Sequence, residues 1–184
     1  MVKIREVWRI KMDEPRIVIN TTMSKEDYKK FLYIATFKRN KFVIPFICLI
    51  SLIASIIISY DNGNFMLERL VISWILLFLL AIIVVILKVE RKNAQRIKTD
   101  KTGTFDSINS LKFYDDKIVM ENKVLKSTGE LKYDQFFSVM ESKDYFIFYL
   151  TANQASLIRK KDIDNPDEFK KFIVERFEGK YKQI

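Results

Sequence analysis

The sequence predicts an α+β membrane protein in which a two-helix transmembrane hairpin is inserted into a small antiparallel β half-barrel of about seven strands, with a C-terminal amphipathic helix. Two long segments, 42–60 and 70–87, lack charged residues, and each is long enough to cross a bilayer as a helix. Lysine and arginine residues flank both segments on one side. From about residue 104, apolar residues alternate with polar ones, as in half-buried strands.

The two apolar segments carry the membrane prediction. At about 1.5 Å per residue, helices of these lengths span roughly 27 to 28 Å, close to the roughly 30 Å hydrocarbon core of a bilayer. Neither segment has the polar face that a helix of a small soluble domain would show. We therefore predict transmembrane helices at 42–60 and 70–87, joined by an extracytoplasmic loop at 61–69.

Basic residues near the ends of the two segments set the orientation. Five lie between Lys29 and Lys41, six between Lys88 and Lys101, and the loop has only Arg69. The positive-inside rule then places both termini in the cytoplasm of a multi-pass plasma-membrane protein. The flanking residues also predict contact with anionic lipids of the inner leaflet. The candidate membrane-surface residues are Lys38, Arg39, Lys41, Lys88, Arg91, Lys92 and Arg96.

A line of small polar residues follows the first segment. Ser51, Ser55 and Ser59 recur every fourth residue and share one helix face. Small residues let membrane helices approach closely. The line predicts a packing seam, either between the two spans or between the subunits of a homodimer.

The remaining elements lie on the cytoplasmic side of this arrangement. Residues 1–23 predict two strands, a β-hairpin that completes the cytosolic sheet. Ser24 is a candidate N-cap for a juxtamembrane helix at 24–41, expected to run straight into the first span. A basic helix is predicted at 88–102, and a β-rich domain with a C-terminal helix at 103–184.

Turn and cap residues divide the last segment. We predict turns at Asp115-Asp116, Thr128-Gly129 and Lys143-Asp144. The final helix is predicted from Asn165 as N-cap and Pro166 at its first position, with an apolar stripe of Phe169, Phe172, Ile173 and Phe177. About seven strands and one closing helix are typical of a pleckstrin-homology-like domain.

Composition argues against enzymatic chemistry. The chain has no histidine and only one cysteine, Cys48, so the usual zinc, haem and iron–sulfur ligand sets are missing. Asp115-Asp116 and the Asp162/Asp164 pair lie where turns and caps favour aspartate. We predict a non-enzymatic protein with no catalytic, cofactor-binding or metal-binding residues. The net charge of +9 lies largely at the membrane flanks, so we predict no nucleic-acid partner.

Several motifs together resemble a known family. They are a helix start with Thr22, Ser24, Glu26, Asp27, Tyr28 and Phe31, the two apolar segments, and "KFYDDKIVMEN", "LKYDQFFSVMESKDYFIFYLTANQASLIRKKDI" and "EFKKFI". This order is similar to the YcxB-like family of bacterial membrane proteins. The resemblance implies two spans and a pleckstrin-homology-like cytoplasmic domain, without catalytic residues. The chain departs from the family at Tyr133, where Trp is common, and at Arg159, where Pro is usual.

Two functional classes follow from this organisation. The first is a binding or scaffolding module at the inner leaflet, with an unknown protein partner or a lipid headgroup as its ligand. The alternative is a self-protection or toxin-immunity protein. Immunity predicts that loop 61–69 matters for function, whereas a cytosolic scaffold predicts that the loop is replaceable.

Overall fold

The chain forms two compact units. A computed structural model describes residues 14–61, 63–101 and 103–184. The described residues up to Ser24 form an α+β unit with Lys101–Ile184, and Lys25–Asp100 form a helical unit. The predicted α+β class with antiparallel sheets and a long apolar helix is confirmed. The predicted strand within residues 1–13 lies outside the described residues.

The elements follow one another with short connections. The described residues form the α-helices α1 (Lys25–Tyr33), α2 (Val43–Ile58), α3 (Leu67–Thr99) and α4 (Pro166–Arg176). The strands are β1 (Ile17–Thr21), β2 (Tyr60–Asp61), β3 (Asn64–Phe65), β4 (Asn109–Phe113), β5 (Lys117–Asn122), β6 (Ser127–Lys132), β7 (Ser138–Glu141), β8 (Tyr145–Tyr149), β9 (Ala155–Arg159) and β10 (Tyr181–Gln183).

The prediction that the juxtamembrane helix runs straight into the first span was wrong. A π-helical stretch, Ile34–Lys38, follows α1, and the axis bends by 59° before α2. The Asn40 Oδ1 atom accepts a hydrogen bond from the Phe42 N–H at 3.3 Å. Because this local bond competes with helical pairing, Asn40 favours a break at this point.

By length and composition, one helix among the described residues can cross a bilayer by itself. This helix is α3, with 33 residues, and none of its most apolar 18-residue stretch is buried within the chain. The shorter α2 has 16 residues, about 24 Å of helix, against the 19 residues predicted for the first span. It reaches the length of a span only together with Lys25–Lys38, across the bend. The predicted second span and basic helix form one continuous helix, α3.

A β-hairpin whose two strands have two residues each joins α2 to α3. Tyr60 pairs with Phe65 and Asp61 with Asn64, and the Tyr60 and Phe65 rings lie 5.4 Å apart. Gly63 adopts φ +84°, a conformation that glycine reaches without steric cost. The Arg69 guanidinium pairs with the Asp61 carboxylate at 3.2 Å. The described residues of the connection are therefore held together by strand pairing, a ring contact and an ion pair.

The strands of the α+β unit that the structure describes form two four-stranded sheets. One has the order β1-β4-β5-β6 and is antiparallel throughout. Although the whole helical unit separates them in the chain, β1 and β4 are neighbours in this sheet. The second has the order β10-β7-β8-β9, in which β10 runs parallel to β7. The short polar sequence of β10 carries no strand signal, which explains why it was not predicted.

The predicted turn at Thr128-Gly129 was wrong. Both residues lie within β6, and the chain turns instead at residues 123–126. The Asn122 Oδ1 atom accepts the Leu125 N–H at 2.9 Å, and Lys126 has φ +48°. A side-chain hydrogen bond therefore supports this turn in place of a glycine.

The apolar stripe of α4 completes the hydrophobic core that buried residues of both sheets form. Phe169, Ile173 and Phe177 are each no more than 1% exposed, and Phe172 packs against them. The Phe169 ring meets the Phe113 ring edge-on at 5.1 Å. The predicted inward positions on β4 and β5 are confirmed. The buried cluster consists of Ile19, Leu111, Phe113, Ile118, Tyr133, Phe136, Val139, Phe146, Phe148, Ile158, Ile163, Phe169, Ile173 and Phe177.

The predicted N-cap of α4 is confirmed and gives a first test. The Asn165 Oδ1 atom accepts the Glu168 N–H at 3.3 Å, and its amide donates to the Glu168 carboxylate at 3.0 Å. Replacing Asn165 by Ala should lower the free energy of unfolding by about 1 kcal/mol, since it removes the cap. Urea unfolding of the full chain in detergent measures this loss. The same substitution at exposed Asn153 is the control, and equal losses at both positions would contradict a capping role.

Candidate functional site

The surface of the helical unit is largely apolar. Most outward-facing side chains of α2 and of the first two-thirds of α3 are large hydrophobic residues with 40% or more of their surface exposed, including Phe46, Ile57, Leu76 and Leu87. A soluble protein rarely leaves so large an apolar patch uncovered. This surface suits the hydrocarbon of a bilayer.

The three predicted seam residues are buried within the chain. Ser51, Ser55 and Ser59 are 4%, 0% and 0% exposed, and α2 packs chiefly along α3. Each hydroxyl donates to a backbone carbonyl of its own helix at 2.6 to 2.9 Å. The serine line therefore lies against α3, with its polar atoms satisfied internally.

A shallow groove accompanies this packing. It has a volume of about 490 Å³ and is open on one side. The groove is lined by small side chains that leave room between the helices, namely Ser51 and Ala54 on α2 and Ala81 on α3. Its walls are apolar, with Phe46 and Val84 among them.

The predicted basic residues lie just before α2 and after the apolar part of α3. Lys38 and Lys41 are exposed beside the break before α2, and Arg39 is half-buried. Among the predicted residues beyond the apolar part of α3, Lys88, Arg91 and Lys92 are exposed, whereas Arg96 is half-buried and pairs with Asp100 at 3.7 Å.

A polar contact fastens α1 to α3. The Tyr33 hydroxyl donates to the Glu90 carboxylate at 2.7 Å, and the Lys29 ammonium lies 2.8 Å from it. The hydrogen bond from Lys29, followed by that from Tyr33, lowers the pKa of Glu90. Nearby Val89 and Asn93 are buried. This side of α3 is therefore covered, while the side with Lys88, Arg91 and Lys92 remains open.

In the α+β unit, the most strongly perturbed carboxylate is Glu141. Its side chain is 5% exposed and forms ion pairs with Lys160 and, at 2.9 Å, with Lys170, and it accepts a hydrogen bond from the Tyr181 hydroxyl. Burial opposes ionisation, but the hydrogen bonds from Lys160, Tyr181 and Lys170 outweigh it and lower the pKa of Glu141 to about 2. The cluster joins β7, the segment after β9, α4 and β10.

Two further carboxylates also link separate elements. Asp162 accepts two hydrogen bonds from Arg159 at 2.7 and 2.8 Å and one from the Thr21 hydroxyl at 2.7 Å. Asp115 binds Arg16 of the segment before β1 at 3.2 Å and Arg176 of α4 at 2.7 Å. Each of these two aspartates therefore connects separate elements of the α+β unit. No group of three or more metal-ligating side chains occurs among the described residues.

Comparison with known protein families gives a match from the end of β4 to the middle of α4. Residues 113–173 match the YcxB-like protein family. The predicted resemblance is confirmed over this segment, which contains Glu141 and Asp162. No curated protein and no solved structure matches the chain.

The two positions predicted to depart from the YcxB-like pattern, Tyr133 and Arg159, have clear structural roles. The Tyr133 hydroxyl donates to the Tyr114 carbonyl at 2.6 Å, and its ring meets Phe177 edge-on at 5.3 Å. Burial raises the pKa of Tyr133. At Arg159 the backbone N–H donates to the Thr21 hydroxyl at 3.4 Å, a bond that proline could not form.

The YcxB-like segment also carries an exposed tip that sequence reasoning missed. Between β5 and β6, Val124 and Leu125 are 64% and 39% exposed, with Lys123 and Lys126 on either side. The buried Asn122 side chain fixes the turn through hydrogen bonds to Ser107 at 3.0 Å and Asn109 at 2.8 Å. Because the turn was predicted at Thr128-Gly129, the tip was not recognised from the sequence. Its apolar pair flanked by lysines is nevertheless visible there.

Proposed function

We propose that the protein is an integral membrane protein whose α2–α3 pair spans the bilayer and whose α+β unit is a non-enzymatic binding module at the inner leaflet. The observation that carries the proposal is that none of the most apolar 18-residue stretch of α3 is buried within the chain, while the α+β unit has its own buried core. A hydrophobic surface of this size needs an apolar solvent. The buried core of the α+β unit is formed by residues of that unit.

The orientation follows from charge. Exposed Lys38, Lys41, Lys88, Arg91 and Lys92 lie on the flanks that lead to the α+β unit. By the positive-inside rule these flanks are cytoplasmic. We place both termini in the cytoplasm of a bacterial cell, with anionic lipid against the basic flanks and the β2–β3 hairpin outside.

The α+β unit supports a binding role. Two packed four-stranded sheets closed by one C-terminal helix resemble the outline of a pleckstrin-homology-like domain. Its perturbed carboxylates, Glu141 and Asp162, are engaged by lysine, arginine and tyrosine of the same unit. This supports structural rather than catalytic roles for them.

The exposed tip at residues 123–126 is our candidate for the partner-docking surface. It lies at the end of the sheet where β1 ends and β4 begins, the end from which the chain leaves for α1 and to which it returns from α3. Val124 and Leu125 offer apolar contact area, and the lysines favour an acidic protein surface.

A crosslinked pull-down from native membranes tests the module. Wild type is compared with a chain in which residues 61–66 are a Gly/Ser linker and with a Val124→Ser, Leu125→Ser variant. The control replaces exposed Phe137 and Val174 by Ser. We expect one cytosolic protein with wild type, the linker chain and the control, and its loss from the tip variant.

The immunity alternative makes the opposite prediction. The β2–β3 hairpin presents an ordered surface, with the Tyr60 and Phe65 rings in contact and the Asp61–Arg69 pair beside them. Recovery of a secreted or membrane-bound peptide that requires residues 61–66 would replace the module proposal with immunity.

A further inference from the structure

The groove beside the α2–α3 contact has the dimensions of an acyl-chain site in one leaflet. On α3 its lining extends from Leu77 to Val85, about 12 Å along the helix. Half of a roughly 30 Å hydrocarbon core is about 15 Å. These residues form the C-terminal half of the apolar stretch of α3, the half next to the basic flank. The groove therefore lies at the depth of the inner leaflet.

The groove face of α3 continues directly into the basic residues. Ala81, Val84 and Lys88 are spaced by three and four residues and share one helix face. One turn further, Arg91 and Lys92 extend the same face. All three basic side chains are exposed. The apolar groove thus ends at a cluster of positive charges.

The covered side of α3 explains why this face is available. α1 packs against α3, where Glu90 is held by Lys29 and Tyr33 and where Val89 and Asn93 are buried. Lys41 precedes α2 and is also exposed. Because the short β2–β3 hairpin makes α2 and α3 antiparallel, Lys41 lies toward the same end of the pair as Lys88.

We propose that this groove binds an anionic phospholipid of the inner leaflet, with one acyl chain along Phe46, Ala54 and Ala81 and the phosphate at Lys88, Arg91 and Lys92. The volume of about 490 Å³ falls within the roughly 300 to 1,000 Å³ of ligand pockets. The positive charges select an anionic headgroup over a zwitterionic one. This inference rests on the proposed membrane-spanning function and makes the lipid a stoichiometric ligand.

Native mass spectrometry of the full chain in detergent tests the site. The protein is titrated with phosphatidylglycerol and, separately, with phosphatidylcholine of the same acyl chains. We expect one tightly retained phosphatidylglycerol per chain and weaker retention of phosphatidylcholine. The Lys88→Gln, Lys92→Gln variant should bind phosphatidylglycerol about 25-fold more weakly, at roughly fivefold per charge near the surface.

A matched control separates position from charge. Lys98→Gln with Lys101→Gln removes two exposed charges, with Lys98 about 15 Å beyond Lys88 along the helix. Binding by this control should stay within about twofold of wild type. Equal retention of the two lipids, or equal losses in both charge variants, would overturn the site.

Filling the groove tests the acyl-chain half. Ala54→Leu with Ala81→Leu should remove the retained lipid while helical circular dichroism is unchanged, and Ala94→Leu on exposed surface of α3 should retain it. If the filled variant instead converts a dimer to a monomer, the occupant is a second copy and the lipid proposal fails.

If all variants resist alkaline extraction from membranes yet none loses lipid, only this inference fails. Release of wild type by alkaline extraction would refute the membrane-spanning function itself.

Discussion

Replacing Phe169 by Ala is expected to lower the free energy of unfolding of the α+β unit by about 3 to 5 kcal/mol. The Phe169 side chain is 1% exposed, and its ring meets those of Phe113 and Phe146 edge-on at 5.1 and 5.0 Å. Truncation removes the buried area and leaves a cavity that the surrounding rings fill only in part. A loss of this size is a large share of the roughly 5 to 15 kcal/mol that stabilises a typical domain.

Urea unfolding of the full chain in detergent, followed by near-ultraviolet circular dichroism of the aromatic residues, measures the effect. Phe137→Ala is the matched control because that ring is 57% exposed, and it should change stability by no more than about 0.5 kcal/mol. Similar losses for both variants would show that α4 does not close the core.

Replacing Glu141 by Gln is expected to cost about 3 kcal/mol at neutral pH. The pKa of Glu141 is lowered from an ordinary 4.5 to about 2, and each pKa unit corresponds to about 1.4 kcal/mol. The glutamine side chain keeps the shape but not the charge, so Lys160 and Lys170 lose their shared partner. The contacts that hold β10 beside β7 should weaken most.

The lowered pKa of Glu141 determines how the stability difference between wild type and Glu141→Gln changes with pH. A carboxylate with a depressed pKa contributes stability above its unfolded pKa and loses it as the pH falls through the folded value. Wild type should therefore lose its advantage over Glu141→Gln between about pH 4.5 and pH 2. Exposed Glu178→Gln is the control. A difference between wild type and Glu141→Gln that stays constant from pH 7 to pH 2 would contradict the assignment.

Local signals predicted much of the α+β unit. Alternation placed Leu111, Phe113 and Ile118 inward, and all three are at most 3% exposed. Asn165 and Pro166 marked the start of α4 because a cap and a first-turn proline act within a few residues. These features depend on neighbours in sequence.

Features that depend on distant partners could not be predicted. Strand β10 has little apolar character and is ordered by pairing with β7 and by the contact of Tyr181 with Glu141. The ion pairs of Glu141 and Asp115 join residues far apart in the chain. At the bend before α2, a side-chain hydrogen bond of Asn40 competes with a strong helical pattern.

The candidate membrane surface was predictable in composition but not in shape. Charge counting found Lys88, Arg91 and Lys92, yet only the packing of α1 on the other side of α3 shows which face remains open. The serine line suggested a seam with two interpretations. Its burial against α3 is a property of the folded helix pair.

Cysteine accessibility tests the central claim, the membrane hairpin with a cytoplasmic α+β unit, most directly. In a Cys48→Ser background, which removes the only cysteine, single cysteines are introduced by Asn64→Cys, Lys98→Cys and Lys182→Cys. Spheroplasts are treated with a membrane-impermeant maleimide before and after permeabilisation. We expect Asn64→Cys to react in intact spheroplasts, and the other two variants only after permeabilisation. Equal reactivity of Asn64→Cys and Lys182→Cys in intact spheroplasts would contradict the account.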